Sequence, residues 1–144
     1  MKPAVSMIVA LGLFISAHTL PAFAQQQLTL GDILAKGAKK LTKEEIRKLA
    51  SGATISGTQV GKPEITFQNK YMPDGSVTGD GWRNGVFVGK ISGRWWISDI
   101  GQFCNYLQNG GVQSCYYYFG LGNQFDTVKG EATTELVYER KFTR

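Results

Sequence analysis

The residues with the widest chemical repertoire lie between Ser92 and Phe119, a stretch holding two of the three tryptophans, both cysteines and the aromatic run Tyr116 to Phe119. Nucleophilic chemistry of the Ser-His-Asp or Cys-His type needs an imidazole base, and histidine-based zinc sites need the same ring. The one histidine, His18, stands in the extreme N-terminal stretch, so neither chemistry is open to the rest of the chain. Carboxylates remain: Asp74, Asp80, Asp99 and Asp126 could in principle form a glycosidase-type acid/base pair. Asp74 and Asp99 stand in turn contexts, where Asp is favoured for backbone reasons. The segment from Asp74 to Asp80 lacks the ligand spacing of a calcium loop. Gly79-Asp80-Gly81 is a turn and not a phosphate cradle, because no helix follows it. The reading is therefore of a protein that is not an enzyme and that uses no cofactor and no metal.

The cysteines read as structural. If a hairpin turn centres on Asn109-Gly110, Cys104 falls opposite Cys115, Phe103 opposite Tyr116, Asn105 opposite Ser114 and Leu107 opposite Val112. Opposed Cα atoms lie about 4.5–5.5 Å apart in such a pair, within reach of a disulfide. Four consecutive aromatics must put rings on both faces of their strand. The aromatics are the better functional lead. Trp96 shares a face with Lys90, Ser92, Arg94 and Ser98, and is either covered by a helix or exposed. If exposed, Arg94 and Trp96, with Tyr116 and Tyr118 from the aromatic run, would make an outer binding surface, since Trp, Tyr and Arg dominate interaction hot spots.

The elements that must position these residues begin after a leader. Lys2, the apolar run from Ala4 to Ile15 and Ala22-Phe23-Ala24 have the layout of a secretory signal peptide spanning 1–24, too short before its first break for a membrane anchor. Its removal would take the net charge from +5 to +4, below a nucleic-acid footprint, and would leave no membrane span. Export to the periplasm or beyond supplies the oxidising conditions that join two cysteines. Residues 25–40 form a leader that is partly helical, with Thr29 and Asp32 as a helix start. Residues 41–144 form a single β-rich domain. It opens with a helix over Thr42 to Ala50, where Thr42 and Glu45 make a capping box and Leu41 staples onto Ile46.

From Ala53 the pattern alternates. Ile65, Phe67 and Tyr71 share one parity; Phe87, Ile91, Trp95 and Ile97 share another inward face, with Gly89 and Gly93 between them to relieve crowding. A last strand, Thr133 to Phe142, turns Leu136, Tyr138 and Phe142 inward and Glu135, Glu139 and Lys141 outward. Short strands joined by tight Gly and Asn turns predict a mainly β fold, a small antiparallel meander barrel or half-barrel of seven or eight strands, with one or two N-terminal helices covering an end or open edge.

Gly93-Arg94-Trp95, then Gly101, Cys104 and Cys115, resembles the pattern of a family of small exported bacterial β-domains of unknown function, over Leu41 to Phe125. The fold is also similar to two other groups: calycins, which bind apolar ligands, and periplasmic lysozyme inhibitors, which protect the wall from peptidoglycan hydrolases. The second likeness implies a non-catalytic periplasmic binding module that inhibits a lysozyme or another peptidoglycan hydrolase, with an envelope protein or cell-wall glycan as partner. The first implies an alternative, a carrier of a small apolar ligand inside the barrel. A carboxylate-based envelope enzyme is the third reading.

Overall fold

A computed structural model describes residues 27–144; the expected signal peptide, with its cleavage site and His18, lies outside the described residues. Two short helices, α1 (Leu30–Ala35) and α2 (Lys43–Ala50), flank the two-residue strand β1 (Lys39–Lys40). Both helices start where expected, and both do so on a capping box, of which only the one at Thr42 is expected from the sequence. The Thr29 hydroxyl accepts from Asp32 N and the Asp32 carboxylate from Thr29 N, and Thr42 and Glu45 repeat the arrangement on α2. In each case two otherwise orphaned N–H groups are satisfied.

The sheet consists of β2 (Thr54–Gln59), β3 (Lys62–Tyr71), β4 (Ser76–Arg83), β5 (Val86–Ile97), β6 (Phe103–Leu107), β7 (Val112–Leu121), β8 (Gln124–Val128) and β9 (Tyr138–Thr143). Each pairs antiparallel with the next, and β9 pairs back onto β2, so the meander closes into an eight-stranded barrel. Closure removes every strand edge from the barrel wall. The ninth strand, β1, runs alongside β7 at Phe119 and Gly120, beyond the end of β6. Residues Leu28 to Lys40 thus pack on the barrel wall.

The core has an inner and an outer layer. Inside, α2 plugs one end: Ile46 and Ala50 pack with Ile55, Tyr71, Val77, Trp95, Phe103 and Tyr118. Trp95 is in the core as its parity predicts, stacked on Phe103 (centroids 5.6 Å apart) with its indole N–H donating to the Met72 carbonyl at 2.8 Å. Outside, α1 lays Leu30 and Ile33 over Phe119, Val128 and Val137. This second layer explains the aromatic run. Tyr118 points into the barrel, Phe119 points out under α1, and both are buried. The hairpin register is the expected one at Phe103, Cys104, Asn105 and Leu107, and the disulfide joins Cys104 to Cys115 across a Cα separation of 4.1 Å.

Two inward assignments are corrected. Phe87 is 53% exposed. The β4–β5 register slips between Gly81, opposite Gly89, and Trp82, opposite Phe87, so Val88 is the extra residue of a bulge and the parity of β5 reverses beyond it. Leu136 is exposed as well: β9 starts only at Tyr138, and Leu136 instead bridges to Thr29 ahead of it.

Candidate functional site

Because the side-chain period of a strand is two, one residue in two along each strand projects into the barrel. An eight-stranded barrel is just wide enough to be filled by those side chains or to hold one small ligand. This barrel is filled at the α2 end and hollow toward the other. The hollow is a cavity of about 620 Å³, within the usual range for small-molecule sites. Tyr71, Phe103 and Tyr118 form its floor, above the packed core. Ile55, Ile65, Phe67, Ile91 and Leu107 are among its walls, and Val60, Lys62, Val88, Asn109 and Val112, from the turns and strand ends opposite α2, stand at its mouth. Of the mouth residues, Val88 and Val112 are exposed.

Amid these walls lie polar groups. Arg140, only 5% exposed, projects into the lumen from β9 between its two neighbours on the strand's inward face, Tyr138 and Phe142. Its Nη1 donates to the Glu139 carbonyl at 3.0 Å, and its guanidinium lies 5.2 Å from the Phe67 ring centre. Among the described residues the ion pairs are Lys40–Glu131 and Lys90–Asp80, so no carboxylate pairs with Arg140. Asn69, 2% exposed on β3, shares Nδ2 with the Tyr71 hydroxyl at 3.5 Å, and its Oδ1 has no partner. Asn105, Ser114 and Tyr116 complete the polar set. Burial raises the pKa of both Tyr71 and Tyr118 above the ordinary tyrosine value. They are therefore neutral hydroxyls at physiological pH and cannot neutralise the guanidinium.

Glycines make room for the two most buried of these groups. Gly57 stands opposite Arg140 in the β2–β9 register, and a Cβ there would lie 2.7 Å from Nη1. Gly79 stands opposite Asn69 in the β3–β4 register, and a Cβ there would collide with Oδ1. The barrel wall is thinned where the polar side chains need space.

The four expected binding residues separate. Arg94 and Trp96 are on the outer wall of β5, and Trp96 is 37% exposed, so α2 does not cover it. Tyr106, opposite Arg94, is exposed beside them. Tyr116 and Tyr118 are not on that surface: they share the inward parity of β7 and line the cavity. The carboxylates do not converge. Asp74 accepts from Ser76 N and Oγ in its turn, which holds its carboxyl below the usual range. Asp80 pairs with Lys90 at 2.7 Å. Asp99 is exposed in the turn between β5 and β6. Asp126 is buried on the outward parity of β8, where desolvation and the neighbouring Glu139 raise its pKa although Gln124 Nε2 donates to it at 3.0 Å. No group of three or more potential metal ligands occurs among the described residues.

Arg140 and Asn69 were not singled out from the sequence. The signal was present: Arg140 shares the parity of Tyr138 and Phe142, and Asn69 that of Phe67 and Tyr71. Comparison with protein families, curated proteins and solved structures finds no match. The fold is a small closed antiparallel β-barrel.

Proposed function

We propose that this protein is a non-catalytic carrier that holds one small, largely apolar molecule in the barrel, with the periplasm as its place of work. The observation that carries the reading is the cavity of about 620 Å³, plugged by α2 at one end and rimmed by the exposed Val88 and Val112 at the other. A barrel built only for stability would be filled. Gly57 and Gly79 instead set the wall back where Arg140 and Asn69 enter the lumen. Native mass spectrometry of gently purified protein, with titration of the neutral fluorescent probe N-phenyl-1-naphthylamine, tests it. A co-purified small molecule or saturable one-to-one uptake is expected. An empty protein that takes up no probe would overturn the carrier reading.

A second reading has its own support. The outer wall carries Trp96 and Arg94 on β5 beside Tyr106 on β6, and the disulfide ties β6 to β7; exposed aromatics beside an arginine suit a protein partner. A peptidoglycan hydrolase is the partner proposed for that face. Undiminished lysis of cell walls by lysozyme and periplasmic hydrolases at excess protein would remove this reading and leave the first intact.

A further inference from the structure

A buried guanidinium without a counter-charge is costly, because desolvation of the ion is not offset by a partner. Arg140 is in that position: it is nine-tenths buried, donates to its neighbour's carbonyl, lies beside the neutral Tyr118 hydroxyl and lines the lumen with no carboxylate against it. A guanidinium carries five N–H donors in a planar fork matched to a carboxylate. Cation–π contact with Phe67 offsets only part of the cost. The site is also built and not accidental. Gly57 clears the space that Nη1 occupies, and Gly79 does the same for Asn69.

Resting on the carrier reading, we infer that the carried molecule is an amphiphile with an anionic head of the carboxylate class, which enters head first and pairs with Arg140 while its apolar body lies along Ile65, Ile91 and Leu107. The head is held by Arg140 alone; Asn69, whose Oδ1 is buried against Gly79, is not a donor to it. Charge is conserved across the site: one guanidinium meets one carboxylate, and the apolar walls meet hydrocarbon.

The test compares decanoate with 1-decanol, which share a chain and differ in the head. Isothermal titration of each into the wild type should give one-to-one binding with decanoate favoured by at least about tenfold. In Arg140→Met the preference should fall to near one, and Arg140→Lys should keep part of it. Saturable binding of both at equal affinity by the wild type would overturn the head-group inference and leave the carrier standing. Binding of neither would overturn the carrier reading and this inference with it. Should Arg140→Met fail to fold, the wild type still decides: the Arg140 side-chain N–H resonance should move on adding decanoate and stay in place with decanol, and bound decanoate that leaves it unmoved refutes the pairing.

Discussion

Replacing Ile46 by Ala removes the side chain with which α2 closes the barrel. Ile46 is 1% exposed and packs in one cluster with Tyr71, Trp95, Phe103 and Tyr118. These are large, mutually locked rings, with centroids 5.1 Å apart for Tyr71–Phe103 and 5.4 Å for Phe103–Tyr118. Rings held in such a network collapse poorly into a new void, so the cost should lie toward the middle of the range for such truncations, about 3 kcal/mol. For a urea m-value of about 1.5 kcal/mol/M, the midpoint falls by about 2 M. The matching substitution on the solvent face, Lys48→Ala, should move it by less than about 0.5 kcal/mol. Urea unfolding followed by tryptophan fluorescence measures both, with Trp95 as the reporter in the affected cluster. The functional consequence is separate: with the plug loosened, the floor of the cavity gives way and probe uptake weakens even where the barrel stays folded. A loss under about 1 kcal/mol for Ile46→Ala would refute the plug, because it would mean that the helix merely rests on the barrel end.

Joint replacement of Cys104 and Cys115 by Ala should cost at most about 2.5–3 kcal/mol in the chain-entropy account of a short loop, measured by urea midpoint with and without reductant; equal stability would show the hairpin to be preformed when unfolded. Asp126→Asn should stabilise the protein at neutral pH. The folded-state pKa of Asp126 is raised above its unfolded value, so the folded state holds the proton more tightly and stability falls as pH rises through that window. The gain from Asn should therefore vanish below the ordinary aspartate pKa, which melting curves at acid and neutral pH would check. Trp96→Ala should lower the melting temperature clearly less than Trp95→Ala, since the two rings are 37% and 8% exposed; an equal loss would mean that the outer face is structural and not free for a partner.

Parity arguments carried most of the fold. The register of Phe103 to Leu107 against Val112 to Tyr116, the disulfide, the core place of Trp95 and the capping box at Thr42 follow from local patterns, and each holds in the structure. What local pattern does not encode is where a strand changes face. The bulge at Val88 reverses Phe87, and nothing in an alternating run announces an extra residue. Nor does pattern reveal coverage from afar: Phe119 is buried because α1 lies over it, a contact between segments far apart in the chain. The site was the least legible part. An arginine on an inward parity reads as an interruption of a hydrophobic face until closure of the barrel shows that it projects into a cavity.

The closure itself has a consequence for the order of events. Seven of the eight pairings in the barrel join strands that are neighbours in sequence, and only β2 with β9 brings together distant residues such as Ile55 and Phe142. Local hairpins form early, whereas a contact of long sequence separation must first overcome loop entropy. The final step of folding is then the closure of β9, already paired with β8, onto β2, which brings Arg140 against Gly57. Until it closes, β2 and β9 are open edges able to pair with other chains, and the lumen is not yet enclosed. A ligand that binds only the closed barrel pulls this last equilibrium forward, so on the proposed carrier reading cargo is a latch for assembly as well as a passenger.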